Sequence, residues 1–179
     1  MTHHKQLENM KSRLFIAIPI SKEIQTLSAK FQQKHKDLDV RWTSGKNLHI
    51  TLIAPWYEKD IEKVKKALDK LENLIGGFDI SLKKLAFGPS KKIPSLMWAE
   101  GPTPEKLKVL RKKLKAHEKK PFRLHMTIAR FSPKKFKSQN LKNLEKSINW
   151  QQKAYSIVLM QSHLSDKPAE YEILHTVKL

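Results

Sequence analysis

One short pattern occurs twice, at equivalent places in the two halves of the chain. It reads HITL at His49–Leu52 and HMTI at His125–Ile128. The histidine and threonine content predicts about 0.3 His-x-Thr spacings by chance, so a single occurrence would carry little weight. Two occurrences in a repeated order of elements predict two related halves, each containing one such segment.

Each copy has the alternation of a half-buried strand. Side chains of a strand point alternately to its two faces, so His and Thr of each copy share one face. The intervening residues, Ile50 and Leu52 or Met126 and Ile128, are apolar and face a core. Two matching pairs of polar side chains therefore emerge from two apolar strands.

The elements around the motifs follow the same order in both halves. Periodicity and capping residues predict, in the first half, a strand at Arg13–Ile20, a helix after Ser21, a strand at Leu48–Ile53, a helix after Asp60 and a strand at Phe78–Phe87. The second half predicts a strand at Leu96–Glu100, a helix opening at Thr103, a strand at Leu124–Phe131, a helix capped by Ser138, and strands at Tyr155–Leu164 and Tyr171–Leu179 joined by a turn at Ser165–Pro168.

This order predicts an α+β fold of two similar β-rich lobes. No linker separates them, so we expect residues 13–179 to form one domain, with 1–12 as a polar tail in which His3 and His4 have no role. If the lobes are related by a pseudo-twofold axis, the two His–Thr faces meet across a cleft. Met10 is an alternative start residue.

Composition narrows the class of protein without naming a function. The chain has 36 Lys and Arg against 17 Asp and Glu, a net charge of +19, which favours an anionic partner or merely a solvated basic face. It has no cysteine, which excludes disulfides, thiolate metal sites and a cysteine nucleophile. Without a convincing signal peptide or membrane span, we expect a cytoplasmic protein.

The two histidines suit displacement at a phosphodiester. One imidazole can accept the proton of the attacking oxygen while the other donates one to the leaving oxygen. Thr51 and Thr127 can hydrogen-bond the non-bridging oxygens. Arg130, three residues after Thr127, is a candidate for bidentate phosphate binding, the alternative being an ordinary surface arginine at a strand end.

The chain resembles the RNA 2′,3′-cyclic phosphodiesterases, also called 2′,5′-RNA ligase-like proteins, of the two-histidine phosphoesterase superfamily. The resemblance rests on RLFIAIPI at the start, RWTSGKNLHITL and FRLHMTIARF around the motifs, FGPSKKIPSLMWAEG between them, and IVLMQSHLSDKPAEYEIL at the end. It covers nearly everything after residue 12. Lys46 departs from the acidic or polar residue often found before this Asn-Leu-His, which affects the expected substrate preference.

The resemblance implies a fold of two β-rich lobes with helices outside and the active cleft between the sheets. It also implies hydrolysis of RNA 2′,3′-cyclic phosphate to a 2′-phosphomonoester with no metal or cofactor, with His49 as proton donor and His125 as proton acceptor. The family's second name adds reversible 2′,5′-RNA ligation as an expectation. The expected partners are RNA ends or cyclic nucleotides, the protein acting as a monomer away from membranes.

Other residues are weaker candidates. Phosphate contacts and stacking surfaces for a base are expected from Arg41, Trp42, Trp56 and Tyr57, for which packing is the competing interpretation. Structural or exposed positions are expected for His35, His117, His163 and His175. No carboxylate cluster, His-Glu-x-x-His segment or phosphate-binding glycine-rich loop is present, which disfavours a metal centre and an ATP-dependent ligase.

The sequence leaves two alternatives open. The first is a two-histidine phosphodiesterase for another small substrate, such as a 2′,5′-linked oligonucleotide or a cyclic ADP-ribose phosphate. The second is a basic RNA-binding protein without catalysis, whose His–Thr strands only shape a cleft. Turnover of a 2′,3′-cyclic nucleotide distinguishes the enzyme from the binding protein.

Overall fold

The structure is a computed structural model that describes residues 11–115, 121–163 and 169–179. Its strands are β1 (Ser12–Pro19), β2 (Arg41–Trp42), β3 (His49–Glu58), β4 (Phe78–Pro89), β5 (Pro94–Gly101), β6 (Leu124–Arg130), β7 (Lys146–Ala154), β8 (Ser156–His163) and β9 (Glu170–Lys178). Its α-helices are α1 (Lys22–Lys34), α2 (Ile61–Asp69), α3 (Glu105–Lys113) and α4 (Pro133–Ser138), with short 3₁₀ helices at Gly45–Asn47 and Leu141–Leu144. His117 and the turn expected at Ser165–Pro168 lie outside the described residues.

Two antiparallel sheets carry the fold. In the described ranges the first has the order β3-β1-β8-β9 and the second the order β2-β6-β5-β4-β7. The motif strands correspond, because β3 follows β1 through helix α1 and β6 follows β5 through helix α3. The predicted α+β fold of two β-rich lobes is confirmed, and β3 and β6 lie against each other where the sheets meet.

The lobes do not coincide with the two halves of the sequence. Strands β8 and β9 return to the first sheet beside β1, while β4 from the first half joins the second sheet. Each lobe is therefore completed by strands from distant parts of the chain. Local periodicity predicts which segments are strands, but it does not specify which distant strands pair with each other.

Most apolar positions of the two sheets form one continuous core. A smaller separate cluster consists of Phe15, Ala17, Val158 and Met160. Ile50 and Leu52 of β3, and Met126 and Ile128 of β6, are fully buried in the continuous core. The predicted start signals of two helices are confirmed, since the Ser21 hydroxyl accepts from the Ile24 N–H and the Asp60 carboxylate accepts from the Lys63 N–H. The core thus fixes the motif strands with their His–Thr faces turned away from it.

One predicted helix is wrong. Ser138 does not cap a helix but ends α4, which begins after Ser132 with Pro133 at its first turn. The segment that contains Ile148 is strand β7, in which Trp150 and Ala154 are buried and the residues on either side of each are exposed. That alternation has the period of a strand, and three apolar residues at near-helical spacing concealed it.

Candidate active site

Both motifs line a single cleft between the sheets. It has a volume of about 340 Å³ and is bordered by His49 and Thr51 from β3 and by His125 and Thr127 from β6. In the strand register His49 stands opposite Pro19 and His125 opposite Glu100. The contact between β3 and β6 brings the two His–Thr pairs to the same cleft.

The two imidazole rings are anchored in the same way. The distance from His49 Nδ1 to the backbone carbonyl oxygen of Asn47 is 2.7 Å, and that from His125 Nδ1 to the carbonyl oxygen of Arg123 is 2.8 Å. A carbonyl only accepts, so each Nδ1 carries the hydrogen and donates it. The Nε2 atom of each ring has no hydrogen-bond partner in the described parts of the chain and is left for proton exchange.

His49 lies in an aromatic setting. Its ring centroid is 4.9 Å from that of Phe15 and 5.2 Å from that of Tyr171, which also packs edge-on against Phe15. Asn47, which holds the ring through its carbonyl, donates its side-chain amide to the Ala169 carbonyl at 2.9 Å. The first histidine is therefore fixed by three neighbouring segments and partly desolvated.

His125 lies in a more charged setting. Its ring packs against that of Trp98 in a tilted arrangement, with a centroid distance of 4.5 Å. The Arg123 guanidinium lies 5.4 Å from the Trp98 ring and 3.6 Å from the Glu100 carboxylate. A Cβ atom at position 88 would overlap the Trp98 ring, so Gly88 is required for the indole to occupy the place that supports His125.

Both histidines bind a proton more weakly than usual in the free cleft. Burial lowers the pKa of His49, opposed by the Asn47 carbonyl and reinforced by the charges of Arg130 and His125. Burial also lowers the pKa of His125, where Arg123 and Arg130 add to the effect and the Glu100 carboxylate opposes it. An anion in the cleft counteracts these effects, because a nearby negative charge stabilises imidazolium.

Two arginines border the cleft beside the motifs. Arg41 of β2 stands directly opposite Arg130 of β6 in the strand register, and both side chains are exposed. Neither guanidinium group has a hydrogen bond or ion pair with another described residue. Like charges directly opposite each other on a sheet are destabilising unless an anion lies near them. The pair is therefore suited to hold phosphate.

The remaining sequence candidates are divided by the structure. Trp42 lines the cleft and packs edge-on against Phe31. Trp56 does not reach the cleft, because it lies at the far end of β3 opposite Leu14 and packs against the core. Tyr57 is 61% exposed on the same distant segment. Of the three aromatic residues expected to contact a base, Trp42 alone lines the cleft.

Several residues that line the cleft are not predicted from the sequence motifs. They are Thr43, Ser44, Asn47, Leu96, Ala169 and Tyr171. Asn47 had a usable signal, since a residue two positions before a strand histidine can present its carbonyl to Nδ1. Tyr171 had none, because it reaches the cleft only through the pairing of β8 with β9, more than a hundred residues after His49.

The other histidines of the described segments lie outside the cleft. His163 contacts Glu172 at 3.0 Å and His175 contacts Asp69 at 2.6 Å, while His35 packs on Phe31. No group of three or more His, Asp or Glu side chains in these segments is placed to hold a metal ion. Nor is any helix there long and apolar enough to cross a membrane.

The comparisons with known proteins agree with the resemblance. Residues 14–98 match the model of the LigT-like phosphoesterase family. An RNA 2′,3′-cyclic phosphodiesterase of Methanocaldococcus jannaschii is 35% identical over 86 residues, which are 48% of this chain and 49% of that protein. The chain therefore spans about half the length of the curated relative it matches. The residues of this chain that match the family model end at position 98, before the second motif.

Solved structures extend the likeness to nearly the whole fold. A protein of Thermus thermophilus superposes with a TM-score of 0.76 at 20% identity, covering 93% of this chain and 97% of that one. LigT of E. coli in its apo form superposes with a TM-score of 0.73 at 20% identity, covering 95% and 98%. The resemblance to LigT-like phosphoesterases is thus supported by sequence over residues 14–98, and the likeness of fold extends over nearly the whole chain.

Proposed function

We propose that this chain hydrolyses the 2′,3′-cyclic phosphate at RNA 3′ ends to a 2′-phosphomonoester without a metal ion, with His49 and His125 as proton donor and acceptor. The observation that carries the proposal is the matched anchoring of the two rings. Each histidine donates Nδ1–H to a carbonyl two residues earlier and leaves Nε2 unpartnered among the described residues, and both border one cleft. Such a pair supplies one acid and one base to the same substrate.

The reaction balances with these groups alone. Nε2 of His125 takes a proton from water as the water oxygen bonds to phosphorus. The bond from phosphorus to O3′ breaks, and His49 gives its Nε2 proton to O3′, leaving a 2′-phosphate and a 3′-hydroxyl. A proton returned from His125 to His49 through solvent restores the starting state.

Neighbouring charges support this division of roles. When His125 accepts a proton it becomes imidazolium, which the opposing Glu100 carboxylate stabilises. No described carboxylate acts in this way on His49, whose imidazolium is disfavoured by burial and by Arg130. A less stabilised imidazolium is the stronger acid, which suits a donor.

The hydroxyls and guanidiniums would stabilise the phosphoryl group. Thr51 and Thr127 lie two residues after their histidines on the same faces and line the cleft, within reach of non-bridging oxygens. Arg130 would bind the charge that develops on phosphorus, and Arg41 lies beside it at the edge of the cleft. Trp42 would offer a surface to the base or ribose of the terminal nucleotide.

Proteins similar to this chain support the same substrate class. The Methanocaldococcus relative is described as an RNA 2′,3′-cyclic phosphodiesterase. LigT of E. coli has been solved with 3′-AMP and with phosphate. A protein of similar architecture thus forms a complex with a nucleotide, which favours a nucleotide substrate here.

We further propose that residues 13–179 act as one domain and that the protein is a cytoplasmic monomer. Both sheets share one core, which supports a single domain. The absence of cysteine is compatible with a reducing compartment. The oligomeric state is checked by light scattering of the purified chain, for which a mass of 20.9 kDa is expected.

The test is turnover of adenosine 2′,3′-cyclic phosphate, with the product compared with 2′-AMP and 3′-AMP by chromatography. We expect 2′-AMP to form at the same rate with and without excess EDTA. Loss of activity with EDTA and its return with a divalent cation would contradict the metal-free mechanism, and 3′-AMP as product would contradict the assigned leaving group. Binding of RNA without any turnover would favour the non-catalytic alternative.

Two further assays cover the other expectations. A 2′,5′-linked dinucleotide and a cyclic ADP-ribose phosphate test the alternative small substrates, and turnover of either much faster than the cyclic nucleotide would favour that alternative. Adding excess 5′-hydroxyl oligonucleotide to a cyclic-phosphate end tests ligation, for which a 2′,5′-linked product is the readout. We expect hydrolysis of the 2′,3′-cyclic phosphate to be the fastest reaction in both assays.

A further inference from the structure

A second groove adjoins the cleft at the C-terminal end of β6. It has a volume of about 550 Å³ and is lined by Asp39, Val40, Arg41, Arg130, Phe131 and Lys135. Arg41 and Arg130 border both spaces. An RNA strand that leaves the cleft in this direction would pass the two guanidinium groups and come close to Lys135.

The walls of this groove are held in place by specific contacts. The Gln139 side chain accepts from the Asp39 N–H at 2.7 Å and donates to the Asp39 carbonyl at 3.3 Å, which joins the end of α4 to the loop before β2. Lys135 Nζ lies 2.6 Å from the Asp39 carboxylate. Phe131 packs against Phe87 and Phe136 with centroid distances of 6.0 and 5.9 Å. The groove is therefore formed before any ligand arrives.

The opposite end of β6 offers an instructive contrast. The groove there is lined by Lys83, Lys84, Glu100, Gly101 and Arg123. Each of its three cations has a partner. Lys84 forms an ion pair with Glu145 and Arg123 with Glu100. Lys83 donates a hydrogen bond to the Asn149 side chain. At the Arg41 end Lys135 alone of the three cations is ion-paired with another described residue. The unneutralised charge thus lies on one side of the cleft.

We propose that the groove beyond Arg41 is a second phosphate subsite, which binds the 5′-phosphate of the terminal nucleotide through Lys135 and Arg41. This assignment rests on the proposed function and deepens it, because it makes the preferred substrate the end of an RNA chain. A phosphate contact of this kind fixes position without reading sequence. Asp39 competes with the incoming phosphate for Lys135.

The experiment compares two small substrates that differ by one phosphate. They are adenosine 2′,3′-cyclic phosphate with a 5′-hydroxyl and the same compound with a 5′-phosphate. For the unaltered protein at low salt we expect KM to be about tenfold lower with the 5′-phosphate. Raising the salt should reduce this advantage, with a slope of roughly 0.7 in log KM per log salt for one phosphate contact.

Matched variants locate the contact. Lys135→Gln should remove most of the advantage and leave turnover of the 5′-hydroxyl substrate unchanged, whereas Asp39→Asn should increase the advantage about threefold. The controls are Lys84→Gln and Glu145→Gln, which alter an ion pair of the same type at the opposite end of β6. They change the net charge equally and should leave the advantage as it is.

The outcomes separate this inference from the proposed function. Equal KM values for both substrates, or equal effects of Lys135→Gln and Lys84→Gln, would overturn the subsite while hydrolysis stands. A larger effect of Lys84→Gln would place the chain at the opposite end and likewise overturn it. No turnover of either substrate by the unaltered protein would overturn the proposed function and the subsite with it.

Discussion

The two motif strands share an anchor and differ in their surroundings. On β3 and on β6 the histidine ring is held by a carbonyl two residues earlier, with nearly equal distances. His49 lies between Phe15 and Tyr171, whereas His125 packs at a tilt against Trp98 beside the Glu100–Arg123 pair. The repeated part fixes ring orientation and tautomer, and the divergent part sets the affinity of each ring for a proton.

The largest effect should follow loss of either imidazole. We expect His49→Ala and His125→Ala each to lower kcat by roughly 10²- to 10⁴-fold, the usual contribution of general acid–base catalysis. Circular dichroism should show both variants folded. The control is His163→Ala, which removes an exposed histidine paired with Glu172 and should leave kcat unchanged. A folded His125→Ala protein with nearly normal kcat would contradict the role of this imidazole in proton transfer.

An intermediate effect should distinguish the two strands. Glu100→Gln removes the carboxylate that raises the pKa of His125, so its pKa should fall further and kcat should drop by roughly tenfold, less than for loss of the ring. Arg123→Gln removes a cation that lowers the same pKa, so it should move the pH profile of kcat/KM in the opposite direction. Shifts of the same sign in the two variants would show that only packing had been disturbed.

A smaller effect is expected from the threonines. Thr51→Ala and Thr127→Ala each remove a neutral hydrogen-bond donor and should lower kcat about two- to tenfold, since such a bond contributes roughly 0.5 to 1.5 kcal/mol. Serine at either position should restore most of the rate. Thr26→Ala, which alters an exposed hydroxyl on α1 bonded to the Lys22 carbonyl, is the control. A loss as large as that of a histidine variant would give threonine a part in proton transfer.

The smallest effect concerns stability. Because folding lowers the pKa of both histidines, the unfolded chain binds more protons as pH falls, so this part of the stability is present above about pH 6.5 and is lost as pH falls through the lowered values. The double variant His49→Gln/His125→Gln should lose less stability between pH 7 and pH 5 than the unaltered protein. Urea unfolding at both pH values measures the difference, and an equal loss would contradict the lowered pKa values.

The motif strands could be predicted from the sequence because their signal is local. Alternation on β3 and β6, and the capping residues Ser21 and Asp60, are readable within a few positions. A helix is predicted wrongly over part of strand β7 because its apolar residues also fit a helical spacing. The pairing of β7 with β4 shows that the segment is a strand. Local signals thus suffice where one period dominates.

The residues that would carry the proposed chemistry could be named from the sequence, but the full lining of the candidate cleft could not. Histidine and threonine positions follow from the repeat, and Arg130 from its distance to Thr127. Tyr171 and the second groove depend on pairings between distant segments, such as β8 with β9 and β2 with β6. Trp56 was expected near substrate because it follows the first motif, yet β3 carries it away from the cleft to the far end of the sheet.

The central claim is that the two histidines hold opposite protonation roles, and the pH dependence of kcat/KM in the single variants tests it most directly. The unaltered protein should give a bell centred below pH 6.5, since both free-cleft pKa values are lowered, with limbs that belong to the coupled pair. Residual activity of His125→Ala should lose the acidic limb and that of His49→Ala the alkaline limb. If both variants keep the whole bell, or both lose the same limb, the assignment of one donor and one acceptor is contradicted.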